Sequence, residues 1–244
     1  MNVLDFMKKN RPLHVQSESD LITKNSSPVL SEALKLARTN LMYALSDIEG
    51  GKCLLLTSAL AGEGKTTTCI NLAVSLAQTE ARVLLIDADM RCPRMHTYLG
   101  LENKEGLANF LGGFADLESV VKRLDKYNLD CITAGALPPN PAEMLSSKKM
   151  KSFIEEAKEH YDYVIFDTPP VNIVADAQVL ASLVKNVVFV LKCGKSLMTE
   201  VKKAIATLNF ADAKILGFVA IEKNQKKQSQ HYASYYSTRT TNKE

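Results

Sequence analysis

Three segments of the chain combine residue types that bind phosphate groups and metal ions. The first, SALAGEGKTT at residues 58–67, places small residues ahead of a lysine and two threonines. Backbone amides of such a loop can surround phosphate oxygens, and a following helix points its N-terminus at them. Lys65 can reach the terminal phosphates of a nucleotide, and the Thr66 hydroxyl suits a magnesium ion. Although Ala59 replaces the first glycine of the usual GxxxxGK[ST] pattern, the segment predicts a phosphate loop.

Aspartates follow buried, strand-like runs in the other two segments. VLLIDADMR at residues 83–91 carries two carboxylates at i and i+2, which emerge on the same side of a strand. VIFDTPP at residues 164–170 ends its apolar run in a third carboxylate. Magnesium prefers a few carboxylates together with waters and phosphate oxygens. The predicted site for magnesium and phosphate therefore comprises Lys65, Thr66, Asp87, Asp89 and Asp167.

Alternating strand and helix patterns surround these segments and must position them. The strand candidates are rich in β-branched residues and apolar on both faces, which predicts a mainly parallel sheet with helices on both faces. In this α/β architecture ligands bind at the carboxyl ends of the strands, where the three segments lie. The predicted strands are 53–58, 82–87, 129–133, 161–167, 186–192 and 214–221, and the predicted helices are 28–45, 66–78, 148–160 and 198–210.

Composition excludes several classes of function. The chain has 244 residues and a net charge of +3, all of it contributed by the last 23 residues, so no basic face for nucleic acid is predicted. The five cysteines are widely spaced and form no CxxC pair, which favours buried thiols in a reducing compartment. Neither a signal peptide nor an apolar run long enough to span a membrane is found, so a cytoplasmic protein is expected.

The C-terminal segment is polar, yet it carries three tyrosines within five positions, Tyr232, Tyr235 and Tyr236. Unfolded segments are usually poor in aromatic residues. These residues alone leave two interpretations open, an adhesive terminus and a functional segment. The predicted organisation is an N-terminal arm at 1–27, one domain at 28–222 that begins with a helix at 28–45, and a flexible tyrosine-rich tail at 223–244.

The three chemical segments together resemble the motifs of the bacterial tyrosine kinases, or BY-kinases, of capsule and exopolysaccharide operons. LLLTSALAGEGKTT resembles their Walker A motif, VLLIDADMR their second Walker A-like strand, and VIFDTPP their Walker B strand. Two further stretches, RCPRMHTYLGLENKEGL and GALPPNPAEML, are also similar to the family. The resemblance covers residues 28–221 and extends to the tyrosine cluster of the tail.

The resemblance implies a P-loop NTPase-like fold and an ATP-dependent kinase that phosphorylates its own tail in trans. It assigns catalysis to Lys65, Asp87 and Asp89, with Asp89 placed to accept the phenol proton. The implied ATP-binding residues are Ala61, Gly62, Glu63, Gly64, Lys65, Thr66, Thr67 and Arg91. The implied magnesium ligands are Thr66, Asp87 and Asp167, and the implied phosphoacceptors are Tyr232, Tyr235 and Tyr236.

The resemblance also implies partners. The family associates through an E-x-x-R-x-x-R motif on its first helix, represented here by Glu32, Lys35 and Arg38, so a homo-oligomer is expected. Lysine at the second position keeps the charge but loses the planar guanidinium fork, and a solvated charged face remains the alternative. The implied partners are the cytoplasmic tail of a membrane-embedded polysaccharide co-polymerase, which recruits the stand-alone kinase of Gram-positive bacteria to the inner face of the membrane, and a tyrosine phosphatase.

Two other functions compete with the kinase. A spatial-regulation ATPase of the MinD and ParA type would carry a second lysine early in the phosphate loop, where this chain has Leu60. Such a protein would also be expected to end in an amphipathic membrane helix, which this tail is not. The second competitor, an inactive adaptor, is disfavoured by the complete set of lysine and carboxylates.

Overall fold

A seven-stranded sheet forms the centre of the chain in a computed structural model, which describes Leu21 and residues 28–222. Its strands follow the order β3-β4-β2-β5-β1-β6-β7. All neighbouring pairs are parallel except β3 and β4, which confirms the predicted mainly parallel α/β fold. The strands are β1 Lys52–Ser58, β2 Val83–Asp87, β3 Val121–Leu124, β4 Leu129–Ile132, β5 Tyr163–Asp167, β6 Asn186–Lys192 and β7 Lys214–Ile221.

Helices connect the strands and cover both faces of the sheet. They are α1 Pro28–Ala44, α2 Lys65–Ala77, α3 Met95–Leu99, α4 Leu107–Gly112, α5 Leu117–Val120, α6 Pro141–Leu145, α7 Lys148–His160, α8 Asp176–Val184 and α9 Met198–Phe210. The predicted helices correspond to α1, α2, α7 and α9, whereas α8 and the four short helices α3 to α6 were not predicted. None of the described helices has the length and apolarity to cross a membrane.

The edge strand β3 was also missed, and its composition explains why. Its four residues, VKRL, are mostly accessible and include two cations, so they lack the apolar run that marks a covered strand. Charged side chains are common on edge strands because they discourage pairing with another chain. The predicted strands, by contrast, include β2 and β5, in which every residue is buried.

Two hydrophobic cores lie on opposite faces of the sheet because side chains alternate along each strand. Val164 and Phe166 of β5 belong to one core, whereas Tyr163 and Ile165 belong to the other. Helix α2 packs in the second core with nearly all of its residues buried. Asp167, two positions after Ile165, therefore lies on the α2 face of the sheet.

Helix α1 lies on α2, in agreement with the predicted helix at 28–45. Leu34 and Leu41 are its buried residues. The guanidinium of Arg38 donates a hydrogen bond to the Ser75 carbonyl of α2 at 2.6 Å. In the predicted N-terminal arm, Leu21 is buried in the core that contains α2, and the other residues of the arm lie outside the described part of the chain.

The two further stretches that resemble the family are joined by hydrogen bonds between asparagine side chains and backbone groups. The Asn103 side chain donates to the Gly135 carbonyl at 3.0 Å and accepts from the Gly135 amide at 2.9 Å. The Asn109 carboxamide oxygen accepts from the amides of Gly106 and Ala136 at 3.2 and 3.1 Å. The fold thus joins residues 91–107 to residues 135–145, beside the end of β4.

Gly135→Ala is expected to destabilise this junction. Gly135 has a φ of +80°, and an added Cβ would lie 2.3 Å from the Asn109 side-chain oxygen and 2.7 Å from the Gly106 amide nitrogen. Gly113 has a nearly equal φ of +79°, but nothing lies within 4 Å of an added Cβ. Because overpacking costs about 1–3 kcal/mol, Gly135→Ala should lower the free energy of unfolding by about that much more than Gly113→Ala does.

Denaturant unfolding of the two variants measures the difference, since the backbone strain of a positive φ is common to both. Equal stabilities would show that the junction tolerates a side chain at residue 135.

Candidate active site

The carboxyl ends of three adjacent strands bring the predicted acidic residues together. Asp87 at the end of β2 pairs in register with Asp167 at the end of β5, and Leu56 of β1 pairs with Asp167 from the other side. Neighbouring strands lie about 4.8 Å apart, so the two carboxylates are adjacent on the α2 face. The Ala88 amide donates to the Asp167 carbonyl at 2.8 Å and continues the pairing past the strand ends.

The phosphate loop connects β1 to α2 directly beside these carboxylates. Gly62 and Gly64 have φ angles of +74° and +87°, a left-handed conformation that side chains disfavour. A Cβ on Gly64 would also lie 2.4 Å from the Ile221 side chain of β7. Helix α2 begins immediately afterwards at Lys65, a buried lysine, so its N-terminal amides face the same space. This geometry fits an anion such as a phosphate group.

Glu63 is buried, unlike Ala61, Gly62 and Gly64 on either side of it in the loop. Its carboxylate accepts a hydrogen bond from the Leu60 amide at 2.8 Å and another from the Ser196 hydroxyl. The carboxylate is therefore directed into the protein, where it closes the loop.

Asp87 of β2 and Asp167 of β5 are two neighbouring buried acids, and both have raised pKa values. Burial, followed by repulsion from Asp167 and Asp89, raises the pKa of Asp87 well above its ordinary value, although amide hydrogen bonds from Asp89 and Met95 oppose the shift. Burial likewise raises the pKa of Asp167 to about 6, against the lowering effects of Lys65 and the Thr66 hydroxyl. Burial thus makes both acids harder to ionise, and the Lys65 cation only partly opposes this effect at Asp167.

Unpartnered polar atoms indicate what could complete the site. Neither carboxylate oxygen of Asp167 meets hydrogen-bond geometry within the described residues, although Thr66 is close enough to affect its pKa. The Thr67 hydroxyl, at the start of α2, is also buried without a partner among these residues. Buried polar groups normally have partners, so these atoms fit a metal and a bound ligand.

The residues present fit magnesium held jointly with a nucleotide. Within residues 28–222, no group of three or more His, Cys, Asp and Glu side chains could hold a metal by itself. Magnesium commonly takes one or two carboxylates and fills its other positions with waters and phosphate oxygens. Asp87, Asp167 and the hydroxyl of Thr66 match that requirement.

Asp89 lies just beyond β2 and remains mostly buried, with 8% of its surface exposed. Its carboxylate accepts from the Cys92 amide at 3.0 Å, while its own amide donates to Asp87 at 3.2 Å. The Met95 amide donates to the other oxygen of Asp87 at 3.3 Å. Backbone amides of the turn from β2 into α3 therefore donate to the carboxylates of both Asp87 and Asp89.

Arg91, predicted to bind ATP, makes a bidentate ion pair with the buried Asp176 at the start of α8. Its Nε and Nη2 groups lie 2.8 and 3.0 Å from the two carboxylate oxygens. This pair attaches the segment after β2 to α8, a contact across 85 residues that no sequence pattern indicated. The ATP contact of Arg91 stays a prediction, and the ion pair does not use its Nη1 group.

The residues predicted for association lie on α1, away from the strand ends, and the predicted phosphoacceptors lie outside the described residues. Glu32 and Lys35 form an ion pair of 2.7 Å on one face of α1, and Arg38 contacts Ser75 of the same chain. Leu36 and Tyr43 are also exposed on this helix, at 60% and 75%. Tyr232, Tyr235 and Tyr236 lie outside the described residues.

Comparison with known proteins agrees with this architecture. A family model described as an AAA domain matches residues 51–216. The chain is 42% identical over 233 residues to tyrosine-protein kinase YwqD of Bacillus subtilis strain 168, an alignment that covers 96% of this chain and 97% of YwqD. It is 39% identical over 206 residues to the putative tyrosine-protein kinase CapB of Staphylococcus aureus, covering 84% of this chain and 90% of CapB.

Solved structures with the same architecture also match this chain. The chimerical protein CapA2B2 superposes with a TM-score of 0.78 and 34% identity, covering 84% of this chain and 90% of CapA2B2. The septum site-determining protein MinD of Pyrococcus horikoshii, complexed with Mg-ADP, gives a TM-score of 0.60 at 25% identity and 70% coverage of both chains. CapA2B2 is therefore more similar to this chain than MinD is, in both fold and sequence, and the MinD-type alternative is not favoured.

The phosphate loop, the paired aspartates and the parallel sheet define a P-loop nucleotide-binding protein. Its similarity to YwqD and CapB along nearly the whole length of each then places it more narrowly. The chain belongs to the bacterial tyrosine kinases and is a protein-tyrosine kinase.

Asp167→Asn is expected to stabilise the protein at neutral pH in the absence of magnesium and nucleotide. Burial raises the pKa of Asp167 in the folded protein to about 6, above its ordinary value of 3.8. Protonation of this carboxyl group therefore stabilises the fold fully below pH 3.8, and this stabilisation is lost as the pH rises through about 6. One pKa unit corresponds to about 1.4 kcal/mol, so the amide should raise the free energy of unfolding at neutral pH by about 1–3 kcal/mol.

Unfolding of wild type and Asp167→Asn across this pH range measures the difference, which should disappear on acidification. The exposed Asp125 supplies a matched control, since Asp125→Asn makes the same chemical change outside the buried site. A constant difference between wild type and Asp167→Asn at every pH would contradict the assigned cause.

Proposed function

We propose that this kinase transfers the γ-phosphate of ATP to Tyr232, Tyr235 and Tyr236 of a neighbouring copy of the same chain. The observation that supports the site most strongly is the register pair of Asp87 and Asp167, buried and adjacent beside the phosphate loop. Phosphoryl transfer depends mainly on alignment and charge neutralisation, which this arrangement can supply.

The nucleotide is proposed to lie in the phosphate loop at the N-terminus of α2. Its phosphates would contact the backbone from Ala61 to Gly64, and Lys65 and the hydroxyls of Thr66 and Thr67 would complete that contact. Arg91 is assigned to the same ligand through Nη1. The glycine conformations and the buried lysine support the loop as an anion site.

Thr66, Asp87 and Asp167 are proposed to hold Mg²⁺. When bound, the metal neutralises phosphate charge and so favours attack by an oxygen nucleophile. The two carboxylates, whose pKa values are raised chiefly by burial and further by repulsion from neighbouring aspartates, would then be stabilised in their ionised forms. Lys65 supplies a fixed positive charge at the start of the helix.

Asp89 is proposed to receive the proton of the substrate. The phenol oxygen of a tail tyrosine attacks the γ-phosphorus, the bond from that phosphorus to the bridging oxygen of ADP breaks, and the phenol proton passes to Asp89. An unperturbed tyrosine has a pKa near 10, so the carboxylate needs to accept the proton only as transfer proceeds. The amide of Cys92 keeps one oxygen of Asp89 in place.

Association of subunits through α1 would bring a tail to a neighbouring site. Glu32 and Lys35 are accessible on that helix. Arg38 also holds α1 on α2, so we assign it both a packing role within the chain and a role in association. We assign the protein to the control of capsular or exopolysaccharide synthesis and export, with ATP as its phosphate donor. The proposed partners are the cytoplasmic tail of a membrane-embedded polysaccharide co-polymerase, which brings it to the membrane, and a tyrosine phosphatase that resets the tail.

A mixing experiment tests transfer between subunits. A Lys65→Met chain with an intact tail is incubated with ATP, Mg²⁺ and an otherwise wild-type chain in which Tyr232, Tyr235 and Tyr236 are all phenylalanine. Intact mass should show phosphate on the Lys65→Met chain alone, and tyrosine phosphatase should remove it. Phosphate on neither chain would contradict the proposal, as would phosphate elsewhere than on the tail tyrosines.

A further inference from the structure

The turn at residues 192–196, which follows β6, contacts the phosphate loop through two independent sets of hydrogen bonds. The Lys195 ammonium donates to the carbonyl oxygens of Ala61 and Gly62 at 3.0 and 3.2 Å. The Ser196 hydroxyl donates to the carboxylate of Glu63. These contacts span 133 and 134 residues of sequence, and none of the roles proposed above uses them.

The two carbonyls bound by Lys195 have a consequence for the amides of the loop. In a trans peptide the C=O and N–H groups point in opposite directions. Lys195 holds the Ala61 and Gly62 carbonyls on one side, so the amides of Gly62 and Glu63, which share those peptide planes, are directed to the other side. Outward-facing carbonyls and converging amides are the arrangement that binds anions.

The second set of contacts fixes the acidic residue of the loop. The Lys192 amide donates to the Ser196 hydroxyl oxygen at 2.8 Å, and that hydroxyl in turn donates to Glu63. The other carboxylate oxygen of Glu63 accepts from the Leu60 amide. A carboxylate within a phosphate loop would repel phosphate, and this hydrogen-bonded chain keeps it buried and turned away.

We propose that Lys195 is a positioning residue for the phosphate groups of a nucleoside di- or triphosphate. It orients two peptide planes of the loop and adds a positive charge at its outer side, before any ligand is bound. The lysine also packs closely against the loop, because a Cβ added to Gly62 would lie 2.8 Å from the Lys195 nitrogen. This inference rests on the proposed nucleotide site and deepens it.

Binding of Mg-ADP to purified protein, measured by calorimetry, tests the proposal without requiring kinase activity. Lys195→Met should weaken binding by about tenfold, or about 1.4 kcal/mol, with a matching rise in KM for ATP and little change in kcat. Lys195→Arg keeps the charge and the donors, so it should restore most of the affinity. Lys185→Met is the matched control, because Lys185 pairs with Asp212 at the opposite end of β6 and should not affect binding.

The outcomes separate this inference from the proposed function. Wild-type protein that fails to bind Mg-ADP would overturn both. Normal binding by wild type and by Lys195→Met would overturn the role of Lys195 alone, as would a lower kcat with an unchanged KM. If Lys195→Met does not unfold cooperatively, Lys195→Gln carries the same expectation of weakened binding, because its amide is neutral and its nitrogen lies one bond nearer the backbone.

Discussion

Lys65→Met should lower phosphate incorporation into the tail by about 100-fold or more, the loss typical of removing a preorganised charge from a transition state. Lys65 is buried, with 8% of its surface exposed, and it begins α2 beside the two buried aspartates. Methionine has similar length but no charge, so it cannot neutralise the phosphates. It should also weaken Mg-ADP binding, since Lys65 is assigned to the terminal phosphates.

The fold should survive this substitution because the neighbouring carboxylates can take up protons. Lys65 opposes the raised pKa of Asp167, and its loss should raise that pKa further. Intact mass after incubation with ATP and Mg²⁺, on protein made in a host without other tyrosine kinases, measures the effect. Lys185→Met removes an exposed lysine away from the site and should keep wild-type activity. Normal tail phosphate on Lys65→Met would contradict the assigned site.

Asp89→Asn should lower tail phosphorylation by about 10²–10⁴-fold, the usual contribution of a positioned proton acceptor. The amide has the shape of the carboxylate, and its oxygen can still accept from the Cys92 amide, so the turn after β2 should be retained. What it loses is the capacity to receive the phenol proton. Mg-ADP binding should stay within about twofold of wild type because Asp89 is not assigned as a ligand.

Binding and turnover together therefore distinguish the two substitutions, since Lys65→Met affects both and Asp89→Asn affects turnover alone. Unfolding midpoints verify that each variant is folded, and Asp125→Asn, at an exposed carboxylate paired with Arg123, is the matched control. Wild-type turnover in Asp89→Asn would assign the proton to another acceptor. A parallel loss of Mg-ADP binding would instead make Asp89 part of the nucleotide site.

Short-range patterns in the sequence were sufficient for the elements that carry the site. Strands covered on both faces appear as apolar runs, so β1, β2 and β5 were found, as was α2 behind the phosphate loop. Short helices such as α5 have too few residues for a clear period, and the edge strand β3 is mostly accessible. Those elements depend on contacts with the rest of the fold.

The sequence by itself determined the chemical groups, because the loop glycines, Lys65 and the aspartates act through local geometry at strand ends. Only the tertiary structure decided which distant residues hold those groups in place. Arg91 meets Asp176, and Lys195 meets the phosphate loop, across 85 and 134 residues. Such contacts depend on strand order, which places β6 next to β1, and on the turns that follow each strand. Strand order is set by packing of the whole sheet, so no local pattern could have indicated them.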